Sequence, residues 1–340
     1  MEAQLCFACQ AFLHLSAEEP QELLLNERYR LLTRVGSGGF GGVYRAVDTV
    51  GTLRTVAVKE ISLRGLSTQE VIEATDGFHR ELRLLSALHH PCLPRIHDSF
   101  TDAEHWYLVM DFIEGETLET HLQHTPAGKL SLDETLEIGS QLCAVLQYLH
   151  TREPTIIFRD LKPSNVMRTS SGLIYLIDFG IARHFTPGKQ KDTAPLGSPG
   201  YAAPEQYGRA QTTPQADIYS LGALLHHLLT GNDPTENPFL FITLSVSDSS
   251  ELTQLNTLLQ CMVAIEPGER PSDIAEVAAT FQKLRDRFRR KKNVINVDAL
   301  PAKKPHMARR RVLKVALSIG GGVVGAGGII ALCGLSTRLM

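Results

Sequence analysis

The chain has 340 residues, 43% of them apolar; this is enough for a sizeable core in two ordinary domains or one large two-lobed unit, and it excludes bulk disorder. The formal charge of −3 conceals an asymmetry, because Lys283 to Arg311 holds twelve Lys/Arg against two Asp and leaves the preceding body strongly acidic. That balance excludes a basic nucleic-acid-binding body and points to a tail that seeks an anionic surface. Six cysteines, four of them single within apolar runs, argue against a disulfide framework.

In chain order, residues 1–27 form an N-terminal segment with a Cys6-Phe-Ala-Cys9 pair. The spacing suits half of a zinc knuckle, but no second pair follows and His14 is the one other nearby ligand, so two unligated thiols are the plainer reading. The first residues carry acid and no basic leader, and no signal peptide is expected. Leu31 to Glu60 reads as strand, turn, strand, strand around Gly36-Ser-Gly38-Gly39-Phe-Gly41. This GxGxxG form also occurs in dinucleotide folds; here it lies between two strands, which suits a hairpin lid whose N–H groups approach phosphates. Lys59, ending the apolar run Val56-Ala-Val58, would supply a cation beside it.

A helix is predicted over Gly77 to Leu88 and breaks at His90-Pro91; an amphipathic helix follows over Leu132 to Leu149. An apolar strand spans Leu173 to Ile177, and helical patterns recur at Asp217 to Leu229, Leu252 to Val263 and Ser272 to Phe288. No internal repeat is present. Residues 289–311 read as a basic, Pro-containing linker without sustained period. Val315 to Leu335 is free of charge for 21 residues, the length that spans a bilayer core of about 30 Å. Residues 312–335 are therefore expected to form a transmembrane helix with 336–340 as a short tail; a glycine-rich flexible tail is the alternative. Arg309-Arg310-Arg311 would hold that flank in the cytoplasm, and Gly321 and Gly325, in GxxxG spacing, would let two helices pair as a homodimer.

Taken together, the ordered motifs resemble a eukaryotic-type Ser/Thr protein kinase of the kind bacteria carry as single-pass membrane receptors, over residues 28–288. The resemblance implies an α+β bilobal protein kinase fold, with a small β-rich N-lobe and a larger helical C-lobe, in the cytoplasm at the cell membrane. It implies ATP and Mg²⁺, with Mn²⁺ as a substitute, protein substrates and no nucleic acid. Gly36, Gly38 and Gly41 would cover the phosphates, Lys59 would contact them, and Glu81 would pair with Lys59. Val43 and Ala57 would lie above the adenine and Met167 below it, with Met110 as gate and Phe112 in the hinge. In Arg159-Asp160-Leu-Lys162-Pro-Ser-Asn165, Asp160 would orient the substrate hydroxyl and accept its proton, Lys162 would neutralise phosphoryl charge and Asn165 would hold a metal with Asp178 of Asp178-Phe179-Gly180. Ala203-Pro204-Glu205 closes the activation segment, Arg270 would pair with that glutamate, and Asp217 resembles the family's buried helix aspartate. Lys162 with Ser198 resembles the Ser/Thr branch, and Arg159 would receive an activation-segment phosphate on Thr186 or Thr193.

Phe158 departs from the family, which usually has histidine there. The resemblance places it in an apolar column with Leu85, Ile96 and Phe179. Losing the imidazole forfeits a hydrogen bond worth about 0.5–1.5 kcal/mol, whereas burying a phenylalanine gains roughly 1.5–3 kcal/mol. The expectation is a tuned enzyme; a nucleotide-binding pseudokinase scaffold and a small-molecule phosphotransferase are the rivals. Lys59, Asp160, Asn165 and Asp178 are all present, which speaks against the first, and the Ala-Pro-Glu closure speaks against the second.

Overall fold

A computed structural model describes residues 24–38, 41–51, 53–65, 67–102, 104–178, 198–207, 212–244 and 250–298. A six-stranded antiparallel sheet is built from β1 (Leu24–Leu25), β2 (Tyr29–Gly38), β3 (Gly41–Asp48), β4 (Thr55–Ser62), β5 (Ile96–Thr101) and β6 (His105–Asp111), in the order β1-β2-β3-β4-β6-β5. Val43 pairs with Lys59, Arg45 with Ala57, and Ala57 with Met110. Because side chains alternate along a strand, this register puts Val43, Ala57, Lys59 and Met110 on one face. On the other face Tyr29, Ala46, Val56, Val58, Tyr107 and Val109 form a small core, sealed by Phe100 stacked between Tyr29 and Tyr107 at 5.7 and 4.8 Å. A one-residue slip would exchange the two sets.

The first face is covered by helix α1 (Thr68–Ser86), whose Phe78, Leu82 and Leu85 belong to the main core. That core continues through Cys92 and Phe158 into the helical part, comprising α2 (Leu118–His124), α3 (Leu132–His150), α4 (Pro214–Thr230), α5 (Ser250–Met262) and α6 (Ile274–Asp298). Ser131 and Thr117 cap α3 and α2 by accepting from the backbone N–H three residues on, and Gly231 ends α4 in the left-handed conformation that glycine tolerates. A second, three-stranded sheet orders β7 (Glu116–Thr117), β8 (Val166–Arg168) and β9 (Ile174–Leu176). It presents Met167 and leads directly into Asp178.

Two helices differ from expectation. Helix α1 begins at Thr68, nine residues before Gly77: its apolar stripe continues back through Val71, which packs against the main core, and Asp76-Gly77, a break signal in sequence, lies inside the helix. Helix α6 runs ten residues past Phe288 into the stretch expected to be linker. Charge on every side of this segment hides helical periodicity, while Arg and Lys are good helix formers, and Arg285 and Arg289 reach Glu137 of α3 at 3.5 and 3.1 Å. Among the described residues no helix is long and apolar enough to cross a membrane; Val315–Leu335, Gly321, Gly325, Cys6 and Cys9 lie outside the described residues.

The end of β3 is tied to the residue just before β2 by Arg28, which donates to both oxygens of the buried Asp48 at 2.7 and 2.8 Å. These bonds hold the Asp48 carboxyl below the usual carboxylate range. Their stabilisation is complete above the unfolded carboxylate value of about 3.9 and is lost as pH falls through the depressed folded value. We therefore expect Asp48→Asn to be less stable than wild type near pH 7 in urea unfolding, with the difference shrinking as the pH is lowered below about 4.

Candidate active site

The loop between α3 and β8 carries Phe158 to Asn165, and it hangs from one buried carboxylate. Asp217 on the first turn of α4 accepts from the backbone N–H of Phe158 at 2.9 Å and of Arg159 at 2.7 Å. His150, the last residue of α3, donates its Nε2–H to Asp217 Oδ2 at 2.8 Å. Three donors on one fully buried carboxylate hold the loop against the helix, and they permit the left-handed backbone of Arg159 (φ 67°). The Asp160 N–H then turns back onto Phe158 O at 2.9 Å.

The resulting turn gathers four predicted residues. Asp160 is nearly buried; its Oδ2 accepts from Asn165 Nδ2 at 2.9 Å and its Oδ1 from Ser198 Oγ at 2.8 Å. Lys162 Nζ donates to the same Ser198 oxygen at 2.7 Å and lies 3.4 Å from Asp160 Oδ2. Ser198 thus presents a hydroxyl to a carboxylate while a lysine ammonium neutralises the other side. Asn165 also donates Nδ2 to Asp160 O at 2.8 Å, so its amide nitrogen is committed and its oxygen remains as the acceptor end. Asn165 O takes the N–H of Ile177 at 2.9 Å, which fixes the end of β9 beside the loop.

Asp178 follows in the left-handed region (φ 66°), and its Oδ1 accepts from Lys59 Nζ. Its carboxylate is partly exposed, whereas Lys59 is mostly covered. Asp178 and the Asn165 amide are hard oxygen donors, suited to an oxygen-preferring divalent cation that completes its shell with phosphate oxygens and water. Glu81 lies on α1, but its side chain, with Phe179 and the segment holding Thr186 and Thr193, lies outside the described residues. Of the apolar column, Leu85 and Phe158 are buried in the common core and Ile96 packs against it.

Above the loop, Gly36 pairs with Val43 and Gly38 with Gly41 at the β2–β3 turn. Gly41 has φ 150°, and a Cβ there would meet Glu60 O at 2.0 Å, so the backbone comes this close because there is no side chain. Val43, Met110, Phe112 and Met167 are all half-buried apolar side chains, Ala57 is nearly buried, and Arg45 sits over the Phe112 ring at 5.2 Å.

The loop's outer support is a second buried pair. Arg270 forms a fork on Glu205 at 2.7 and 2.8 Å and donates its other N–H groups to the carbonyls of Gln215, Ala264 and Ile265, with Tyr219 beneath the guanidinium at 5.0 Å. Two supporting residues were not expected from sequence. His150, at a helix C-terminus, reads as a partner of the helix dipole. Gln206, fully buried, accepts the Ala203 N–H and donates to Arg159 O, both at 2.9 Å; its position directly after Glu205 was the available signal.

The family model described as "Protein kinase domain" matches residues 29–281. Serine/threonine-protein kinase pkn2 of Myxococcus xanthus is 38% identical over 226 residues, covering 64% of this chain and 26% of that protein. Serine/threonine-protein kinase PrkC of Bacillus subtilis is 35% identical over 211 residues, covering 62% of this chain and 31% of that protein. The chain thus spans less than a third of the length of these two relatives. The crystal structure of the Mycobacterium tuberculosis PknI kinase domain, a cysteine-to-alanine mutant, aligns with a TM-score of 0.59 at 26% identity, covering 75% of this chain and 95% of that one.

Removing one side of a buried ion pair strands the other charge and typically costs about 3–5 kcal/mol. Arg270→Ala should lower unfolding stability by about that amount in denaturant titration. Arg270→Lys should also lose stability, because one ammonium cannot replace the fork.

Proposed function

The chain belongs to the protein kinase domain family, and from that premise we propose that it is a Ser/Thr protein kinase that transfers the terminal phosphoryl group of ATP to protein hydroxyls. The observation that carries the reading is the Asp160 carboxylate holding a serine hydroxyl at 2.8 Å beside the Lys162 ammonium. A substrate Ser or Thr offered to Asp160 would be oriented by the same oxygen, which would accept its proton as the hydroxyl oxygen attacks the terminal phosphorus and the bond from that phosphorus to the departing ADP oxygen breaks. Lys162, within reach of that point, offsets negative charge on the group in transfer.

Lys59 projects from the sheet face that also bears Val43, Ala57 and Met110, so one rigid surface can contact adenine and phosphate together. The Gly41 backbone closes over the phosphate end. Asp178 and Asn165 would hold Mg²⁺, or Mn²⁺ in its place, which when bound would supply positive charge to phosphate oxygens. The protein's own contribution is to fix those two oxygens by the Asp160–Asn165 and Ile177–Asn165 bonds.

We also read Val315–Leu335 as a single membrane span with the catalytic part cytoplasmic, supported by 21 uncharged residues behind Arg309–Arg311. Confinement there raises the effective concentration of one kinase toward another and favours phosphorylation in trans.

Full-length protein supplied with MgATP should phosphorylate a basic protein substrate, and Asp160→Asn should reduce the rate by about 10²- to 10⁴-fold. Equal residual activity in both would replace the enzyme with a nucleotide-binding scaffold. Phe158→His should change the rate by less than about tenfold, since the hydrogen bond gained and the apolar burial lost nearly offset; a rise of several hundredfold in a phosphotransfer assay would show that the phenylalanine cripples the site. In flotation with uncharged phosphatidylcholine liposomes, which give the basic stretch no anionic surface to bind, the full chain should float and a chain ending at Arg311 should not.

A further inference from the structure

Tyr201 and His227 make a contact that the phosphotransfer chemistry itself does not use. Tyr201 is buried in the segment 198–207, and its hydroxyl lies 2.6 Å from Nδ1 of His227, near the C-terminal end of α4. The hydroxyl has no other hydrogen-bond partner among the described residues, so it donates to the ring, and Nδ1 is the bare acceptor nitrogen of a neutral imidazole. The same segment turns on Ser198, whose carbonyl accepts from the N–H groups of Tyr201 at 3.2 Å and Ala202 at 2.9 Å. Gly200 leans on the turn after α4, where a Cβ would meet Pro234 O at 2.3 Å. At the front of this turn the Ser198 hydroxyl sits on Asp160 Oδ1, the oxygen to which a substrate hydroxyl is offered. His226, the preceding residue of α4, works differently: its Nε2–H donates to Ile242 O at 2.9 Å, a bond that a second ring proton leaves intact.

We propose that His227 is a positioning residue for the protein substrate: in its neutral form it latches the turn at 198–202 through Tyr201, and protonation releases that turn. The proposal rests on the Ser/Thr kinase reading. A proton on Nδ1 makes that nitrogen a donor, so the phenol must reverse, and its own hydrogen then lacks a partner among the described residues in a buried place. The titratable and charged groups that face the pair are His226 on the same helix, Asp233 on the turn after it and Glu119 on α2. Burial lowers the His227 imidazole below its ordinary value; Asp233 works against this and His226 adds to it. The latch is therefore closed above the ordinary imidazole value of about 6.5 and opens as pH falls through the lowered folded value. The turn borders Asp160 and not the sheet face of Val43, Ala57 and Met110. Opening it therefore raises the KM for protein substrate and leaves the KM for ATP.

The test is kcat/KM of the full-length protein for a basic protein substrate at saturating MgATP, from about pH 5 to 8. Wild type should lose about tenfold on the acid side, with the KM for protein carrying the change. His227→Asn sets an amide oxygen near the place of Nδ1 and cannot titrate; it should keep most of the activity at neutral pH and lose the acid fall. Tyr201→Phe should be about tenfold lower at neutral pH and show no such fall. An acid fall unchanged in His227→Asn, or wild-type kcat/KM at neutral pH in Tyr201→Phe, would overturn the proposal. Imidazole ¹H–¹⁵N NMR reads the latch without any phosphotransfer. The His227 signal, identified by its loss in His227→Asn and its displacement in Tyr201→Phe, should show a neutral ring with the proton on Nε2 at neutral pH and a second proton arriving at Nδ1 on acidification. A proton on Nδ1 at neutral pH would overturn the latch. A wild type with the expected tautomer and titration that transfers no phosphate would instead overturn the kinase reading and leave the Tyr201–His227 latch supported.

Discussion

The buried carboxylate of Asp217 is the constraint on which the rest of the site depends. Two consecutive backbone N–H groups, of Phe158 and Arg159, must point at one acceptor, which no helix or strand ladder can supply. An ionised carboxylate can take both and still accept a third bond from His150, and charge-assisted bonds of this kind are about twice as strong as neutral ones. With those donors satisfied, Arg159 can adopt its left-handed conformation and Asp160 is turned toward Asn165, Lys162 and Ser198. The helix that bears Asp217 lies in the middle of the large lobe, with almost every residue from Ala216 to Leu225 buried. The loop's geometry therefore inherits the stability of the core.

A second constraint works from above. The pairing of β3, β4 and β6 assigns Val43, Ala57, Lys59 and Met110 to one face, and the opposite face is committed to the small core around Tyr29 and Tyr107. Lys59 then meets Asp178, whose position follows from the Ile177 bond to the Asn165 carbonyl. Sheet register and loop anchoring thus converge on one Lys–Asp contact between the two halves of the site. Below it, Glu205–Arg270 and Gln206 connect the 198–207 segment to the large lobe and to Arg159.

The places of the charged residues were legible through the family resemblance, whose motifs fix residue types in a fixed order: the structure brings Asp160, Lys162, Asn165 and Ser198 together and sets Arg270 on Glu205. The strands around Gly36–Gly41 were legible for a different reason, since alternation and glycine spacing are local. What escaped were partners brought in from a distance by packing. His150 reaches an aspartate 67 residues on, and Gln206 reaches back 47 residues to a backbone carbonyl; neither side chain stands out in a linear pattern. The direct Lys162–Ser198 bond was likewise not specified by either motif alone. The helix start at Thr68 was missed because Asp76-Gly77 reads as a break, although the apolar stripe runs back through Val71 onto the core; the end at Asp298 was missed because that stretch is rich in charge.

The central claim is that, in the phosphotransfer proposed for this chain, Asp217 supports the rate by holding the Asp160 loop in place. Asp217→Asn leaves a side chain of the same shape but replaces one acceptor oxygen with a donor, so one of the two loop N–H groups loses a charged partner worth about 1.5–3 kcal/mol. Steady-state phosphotransfer by this variant, with its fold checked by circular dichroism, is the most direct measurement. The account predicts a kcat reduced by at least about tenfold, as that energy implies, with KM for ATP little changed because the sheet face bearing Val43, Ala57 and Met110, proposed to hold the nucleotide, is untouched. A folded Asp217→Asn protein with wild-type kcat would contradict it.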